Sequence, residues 1–382
     1  MLYDKTDKYS IEKYAQKLVG KTFNDICRED LDDKIVIESE NTYVLAHGDK
    51  KRKGGLGELV EERFFHYKAN SDSSPDFEEA GVELKVTPYK INKNKSISAK
   101  ERLVLTMIDY NSVIDEKEFD SSHFWYKSQW LLLVYYLWEK EIKDRLDYRI
   151  DYARLFTPSE EDLEVIRNDY FKIIEKIEAG YAHELSESDT MYLSACTKSS
   201  DSSVVRAQPN SDIPAKPRAF AYKSSYMTYV LNHYIHRAKP KYESIIKNDN
   251  IKDIEAYITD KINKHKGKSV TELCADYDIE FDKIPKNLYA MLAYRMLGIT
   301  SNNAEEFVKA NIKVKTIRID KNNTIKENMS FPTFDFISIT KQDWEESEFY
   351  ELLSSTKFLF IVYHEREDGL YNFDHAQFWN IP

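Results

Sequence analysis

The sequence predicts an α/β fold: a mixed sheet flanked by helices, followed by a reduced second unit on the same plan. Three observations predict it. Val82 to Val86 alternates apolar and charged residues, as a half-buried strand does. The runs 101–109 and 129–138 are rich in large apolar residues, as sheet interiors are. Amphipathic helical stretches surround these runs, and a similar order of elements returns after residue 250.

The bulk properties narrow the class. A chain of 382 residues can bury a sizeable core and is expected to form more than one domain. With 32% charged and 13% aromatic residues it is globular rather than disordered. No apolar run is long enough to span a bilayer, and the N-terminus is too polar for a signal peptide, so a cytoplasmic protein without a membrane partner is expected. Cys27, Cys196 and Cys274 are far apart, which suits a reducing compartment and argues against a zinc site. The net charge of −11 opposes a nucleic-acid partner, but the charge is uneven. From Lys198 to Lys247 there are nine Lys or Arg against three acids, and Lys50 to Lys53 is a second basic cluster.

Taken in order, residues 10–19 read as a helix with Ser10 as its cap and Gly20 as its stop. The stretch 29–41 is acidic and irregular. Residues 56–66 read as a second helix, with Leu56, Leu59, Val60 and Phe64 as its apolar stripe and Glu61 on the border. Strands at 81–88, 101–109 and 129–138 follow, with a polar hairpin at 90–98 and Lys127 at the mouth of the last strand. Thr157-Pro158-Ser159-Glu160 is a helix start, and Gly180 ends the helix it opens. Residues 192–229 are Ser-rich, Pro-punctuated and basic, as a loop system that approaches phosphates would be. His233 and His236 lack a third ligand nearby and read as surface residues.

The chemistry centres on Ser74 to Tyr89. Asp76 precedes Glu83 by seven residues, with Pro75 before it and Gly81 between, so a bend there brings two carboxylates and Lys85 to one point. Carboxylates bind a hard cation such as Mg²⁺, which neutralises a phosphate and acidifies a bound water. Lys85 would orient that water and stabilise the developing charge. By itself the spacing also suits an amphipathic edge strand with a solvated Glu–Lys pair, and Glu-x-Lys recurs at Glu141 to Lys143.

After a charged stretch at 239–254, faint matches return in the same order. Gly267 to Cys274 echoes Gly20 to Cys27, an apolar helix at 288–297 takes the place of 56–65, Glu306 to Lys315 lies over Asp76 to Lys85, and Phe358 to Tyr363 answers Trp130 to Tyr135. Glu61 falls opposite Ala293, Glu83 opposite Lys313 and Lys127 near Ser354, while Glu306 keeps the acid of Asp76. The expected division is a catalytic domain at 1–245 and a non-catalytic one at 246–382.

The Pro-Asp…Glu-x-Lys spacing is similar to the PD-(D/E)xK nuclease motif. With Lys53-Gly54, Leu56-Gly57…Glu61, Gly81 to Pro88, Lys100 to Leu105, Ser122 to Lys127, His183 to Glu187, Tyr192 to Lys198, Gln208-Pro209, Ser211 to Ile213, Arg218 to Phe220 and Lys223-Ser224, the chain resembles the MutH family. It resembles in particular the Sau-three-A type of GATC-cutting type II restriction endonucleases. The resemblance implies a restriction-endonuclease-like fold with a degenerate second MutH-like domain, and Mg²⁺-dependent cleavage of double-stranded DNA 5′ of the G in GATC. It implies that Asp76, Glu83 and Glu61 hold the metal, that Lys85 is the motif lysine, and that Lys127 supports catalysis. Lys53, Glu101, Lys198, Arg218, Phe220 and Lys223 become DNA contacts, with Glu101 at the adenine, although Cys196 and Ala221 stand where MutH proper has an arginine and a tyrosine. It further implies self-association on DNA, a companion DNA methyltransferase, and a second domain that binds another GATC copy. Relatives of this type are longer than 382 residues, so the second copy is expected to be truncated. A repair nickase and a non-cutting GATC-binding regulator are the alternatives.

Overall fold

The computed structural model describes residues 2–29, 55–67, 73–199, 203–238, 242–247, 251, 253–280, 285–325, 327–342, 344 and 347–380. The chain divides into two interleaved units. The first comprises residues 1–160, 197–204 and 217–240; the second comprises 161–196, 205–216 and 241–382. The strands are β1 (Val82–Ile91), β2 (Ile97–Ala99), β3 (Leu103–Met107), β4 (Trp130–Leu137), β5 (Ile150–Phe156), β6 (Leu193–Thr197), β7 (Arg206–Gln208), β8 (Ser211–Ala215), β9 (Arg218–Tyr222), β10 (Ile312–Ile319), β11 (Lys357–Glu365) and β12 (Tyr371–Trp379).

In the first unit the sheet order is β2-β1-β4-β5, with β1 parallel to β4 and the outer pairs antiparallel. The expected mixed sheet is therefore present. Its centre is parallel because β4, Trp-Leu-Leu-Leu-Val-Tyr-Tyr-Leu, is apolar on both faces, and Leu131 to Tyr135 are all fully buried. On one face Leu84, Leu132, Val134 and Ala153 pack with Ile11 and Leu18 near the N-terminus and with Leu56, Leu59 and Val60. β3 pairs with β9 in a separate antiparallel ladder.

Three expectations change. The first helix, α1 (Lys8–Ala15), is capped by Asp7, which accepts from the Tyr9 amide; Ser10 instead accepts from the Asp4 amide. Asp7 wins because the helix begins two residues earlier than its apolar stripe shows. β5 was not foreseen from its mixed run Ile-Asp-Tyr-Ala-Arg-Leu-Phe; pairing with β4 imposes it. The segment 192–229 holds four strands rather than a loop system, because Tyr192, Leu193, Ala195, Cys196, Phe220 and Tyr222 are buried.

In the second unit, β10 is parallel to β11 and β11 antiparallel to β12. A helix at Glu160–Glu178, of the expected extent, belongs to this unit apart from its first residue. Asp169 on that helix accepts from the amides of Met191, Tyr192 and Leu193 at 2.8, 2.6 and 3.0 Å. Asp162 takes the buried Lys309 ammonium at 2.5 Å. Gly180 ends the helix at φ 81°, where an added Cβ would lie 2.6 Å from the Asn210 carbonyl oxygen, so both conformation and space require glycine.

Local hydrogen bonding in the two units matches. Gly20 donates to the Ile150 carbonyl at 2.8 Å and Ile150 to Lys21 at 2.9 Å; Gly267 donates to Phe373 at 2.8 Å and Phe373 to Lys268 at 2.9 Å. Gln16 reaches the Ala153 carbonyl, and Asn263 the Ala376 carbonyl. The ladders begin with Val82 opposite Trp130 and Ile312 opposite Lys357, and their antiparallel partners slip register after Tyr135 and Val362.

Leu132→Ala should cost about 2–5 kcal/mol, because it opens a cavity in a sheet centre buried on both faces. Urea denaturation measures this; a loss under about 1 kcal/mol would mean that the centre repacks freely.

Candidate active site

The site lies in the first unit, where a tight return meets the start of β1. Glu78–Ala80 forms one 3₁₀ turn and Gly81 takes the left-handed conformation at φ 64°. The Phe77 amide donates to the Val82 carbonyl at 2.9 Å, and the Val82 amide donates back at 3.2 Å. This closure brings Asp76 beside Glu83. The Asp76 amide donates to Glu83 Oε2 at 3.3 Å, and the Leu84 amide donates to Asp76 Oδ2 at 2.8 Å. The bend expected from Pro75 and Gly81 is present.

Glu83 is 4% exposed, yet ionic partners surround it. Lys85 Nζ lies 2.8 Å from Glu83 Oε1, and Lys127 Nζ lies 3.7 Å from the same oxygen. Lys85 also reaches the Leu105 carbonyl at 3.5 Å. Lys127 comes from the helix His123–Ser128, which ends one residue before β4 and is capped by Ser122 accepting from the Trp125 amide. Parallel pairing sets Glu83 opposite Leu131, so the helix that feeds β4 delivers Lys127 to the same end of the sheet.

Glu61 sits on a π-helical turn, Val60–Phe64, that continues the short helix Gly55–Leu59. Such turns interrupt helices frequently at functional sites. Burial pushes the Glu61 carboxyl up to about 7, helped by the charges of Asp76 and Glu83 and opposed by Lys85. Burial also pushes Asp76 up to about 6, followed by Glu83, while the Leu84 amide, Lys85 and Lys127 oppose the rise. The three carboxylates thus repel one another in a place short of water, and a cation would relieve that repulsion.

Sequence reasoning missed Tyr67. Its hydroxyl is buried and has no hydrogen-bond partner among the described residues. Burial first, and then Asp76, Glu61 and Glu83, hold it far above the ordinary phenol range. An isolated tyrosine six residues after Glu61 carries no sequence signal; only the packing of Phe65, Tyr67 and Phe77 aims it here. An orphaned hydroxyl beside strained carboxylates fits a hydrated hard cation. No group of three metal-ligating side chains is already drawn together among the described residues.

The remaining expected contacts scatter. Lys53 and its basic cluster lie outside the described residues. Glu101 is exposed before β3, and Lys198 is exposed just after β6. Arg218 is half-buried at the start of β9, where its charge partly opposes the rise that burial gives the Tyr110 phenol. Phe220 is 2% exposed against Phe124, with ring centroids 5.0 Å apart, and Lys223 is also 2% exposed, where it precedes the helix Ser224–Val230. Packing therefore places Phe220 and Lys223 inside the protein. His233 stacks on Tyr229, and His236 bonds the Tyr152 hydroxyl at 2.8 Å, so neither forms a metal pair. All three cysteines are buried and unpaired with one another. Among the described residues no helix is long and apolar enough to cross a membrane.

Buried Glu83 and half-buried Asp76 thus meet two lysines at one end of a mixed sheet, and comparison with known proteins places the chain in a family. The family model described as "DNA mismatch repair enzyme MutH" matches residues 65–169 and again 297–380. The type II restriction enzyme Sau3AI of Staphylococcus aureus is 38% identical over 357 residues, covering 87% of this chain and 71% of that protein. The chain belongs to the MutH family, as a Sau3AI-like restriction endonuclease.

The raised carboxyls make stability pH-dependent. Glu61 and Asp76 hold protons in the fold that the unfolded chain has already lost, so stability should fall as pH rises from about 4.5 to 7 in EDTA. Urea titrations across that range should show a shallower fall for Glu61→Gln than for the parent. An equal or steeper fall in the variant would mean that Glu61 is not held above its usual range.

Proposed function

We propose that the chain is a Mg²⁺-dependent type II restriction endonuclease that cleaves double-stranded DNA 5′ of the G in GATC. The observation that carries this reading is Glu83, buried between Asp76, Lys85 and Lys127. Asp76 and Glu83, with Glu61 beside them, would hold the cation. When bound, the cation supplies charge neutralisation at the phosphate and a more acidic water. Lys85, held by Glu83 and the Leu105 carbonyl, has a third N–H that would orient the attacking water or donate to a phosphoryl oxygen as charge builds there. Lys127 gives Glu83 a second cationic partner, and the Leu84 amide fixes one oxygen of Asp76. The 38% identity to Sau3AI, over 71% of that protein, supports the substrate assignment. Lys53, Glu101, Lys198 and Arg218 remain the proposed DNA contacts, while Phe220 and Lys223 hold β9 and the following helix in place.

Within the second unit, residues 246–382 are read as a degenerate MutH-like domain that binds a further GATC copy and regulates the first. Its support is the second family match at 297–380 and the recurring ladder and glycine geometry. Lys313 takes the register of Glu83, and Glu306 spends its carboxylate on the amides of Ile245 and Ile246 and on the Ser244 hydroxyl. A domain so changed cannot cut by the same chemistry. One catalytic centre cuts one strand, so self-association on DNA completes a palindromic cut. The protein would act in the cytoplasm beside a methyltransferase that protects the host sites.

The test is cleavage of a plasmid with several GATC sites in Mg²⁺, beside Glu83→Ala and Lys85→Ala. Discrete GATC-ended fragments are expected from the parent, with losses of about 10³-fold or more in either variant. Nicked circles alone would favour the repair nickase. Binding without cleavage in Mg²⁺ or Mn²⁺ would leave the non-cutting regulator.

A further inference from the structure

The second unit contains a cavity of about 190 Å³ beside β10 and the start of β11, lined in part by Tyr294, Lys313, Lys315, Phe331 and Thr356. Lys313 and Lys315 are two apart on one strand and therefore share a face, which is the face that carries Glu83 and Lys85 in the first unit. Among the described residues no carboxylate lines the cavity. The one retained acid, Glu306, is buried and bonded to the 244–246 backbone and the Ser244 hydroxyl.

The two ammonium groups differ in how far they are committed. Lys315 donates to the Ser330 carbonyl at 2.6 Å, leaving N–H capacity unused, and lies 5.5 Å from the Phe331 ring centroid. Lys313 makes no ion pair or hydrogen bond among the described residues. It is more than a third exposed, yet the surrounding protein and the Lys315 charge hold it below the ordinary ammonium range. Two like charges at the edge of an acid-free cavity repel each other, and an oxyanion between them would remove the repulsion.

We infer that Lys313 and Lys315 form a metal-free seat for a single phosphate group. In the first unit carboxylates would recruit a cation to meet a phosphate; here the chain itself supplies the positive charge at the same register. On DNA the group is a backbone phosphodiester, so this unit holds DNA without a divalent ion. The choice of DNA over free phosphate rests on the reading of this unit as a DNA-binding domain; the anion chemistry rests on the cavity alone.

The experiment uses the intact chain in EDTA, where cleavage is silent, and reads fluorescence anisotropy of a labelled GATC duplex at several KCl concentrations. Replacing both lysines with alanine should weaken binding about tenfold or more at low salt and flatten the log K against log salt slope by about 0.9, one phosphate contact's worth. Replacing both with arginine should retain the parent slope. Lys313→Gln alone, a milder change at an exposed position, should flatten it by part of that amount. In a second arm, inorganic phosphate should raise the melting temperature of the parent and not of the alanine variant. A phosphate response with an unchanged DNA slope would keep the seat but overturn its assignment to DNA. Neither response changing, in a Lys313→Gln protein with the parent circular dichroism, would overturn the seat. Because binding is read without cleavage, this outcome is independent of whether Glu83→Ala abolishes cutting.

Discussion

The fold of the first unit depends on the parallel pairing of β1 with β4. A strand buried on both faces must be apolar, yet the strand beside it carries Glu83 at 4% exposure. A buried carboxylate without partners would cost several kcal/mol. Lys85 from the same strand and Lys127 from the helix that feeds the next one compensate it. The same residues that make the strand tolerable also gather charge at the end of the sheet. Stability and chemistry share one device, and neither lysine can be removed without leaving Glu83 less well compensated.

The compensation is deliberately incomplete in sign. Two lysines face three acids, and Asp76 and Glu61 are pushed up to about 6 and about 7. Such a centre is poised to take up positive charge, which is what a cation-dependent phosphodiesterase requires. The second unit holds the reverse arrangement. Its ladder has the same register, but Lys313 and Lys315 face a cavity with no acid among its described lining residues. At the ladder position where the first unit has Glu83 the second has Lys313, so the sign of the charge is exchanged there.

Much of this was legible in the sequence. The alternation from Val82 to Val86 gave β1, the apolar run at 130–138 gave β4, and Pro75 with Gly81 gave the return between Asp76 and Glu83. Those features are local: period, turn chemistry and spacing act over a few residues. β5 and the strands between Leu193 and Tyr222 were not legible, because their residues adopt extended structure through pairing rather than through their own preference. The N-cap of the first helix slipped to Asp7 for a related reason: boundaries depend on which polar side chain reaches an amide, and several were near.

By itself the sequence determined which residue types carry the chemistry and the order in which they arrive, since a motif is a statement about spacing along the chain. Only the tertiary structure decided which of them meet. It brought Glu61 and Lys127 to Glu83 from two different helices and aimed the Tyr67 hydroxyl at the carboxylates. It drew Phe220 and Lys223 into the interior. It also turned Glu306 toward the Ile245 and Ile246 amides. The physical reason is that charge interactions depend on distance and on the water left between groups, and both are set by packing rather than by position in the chain.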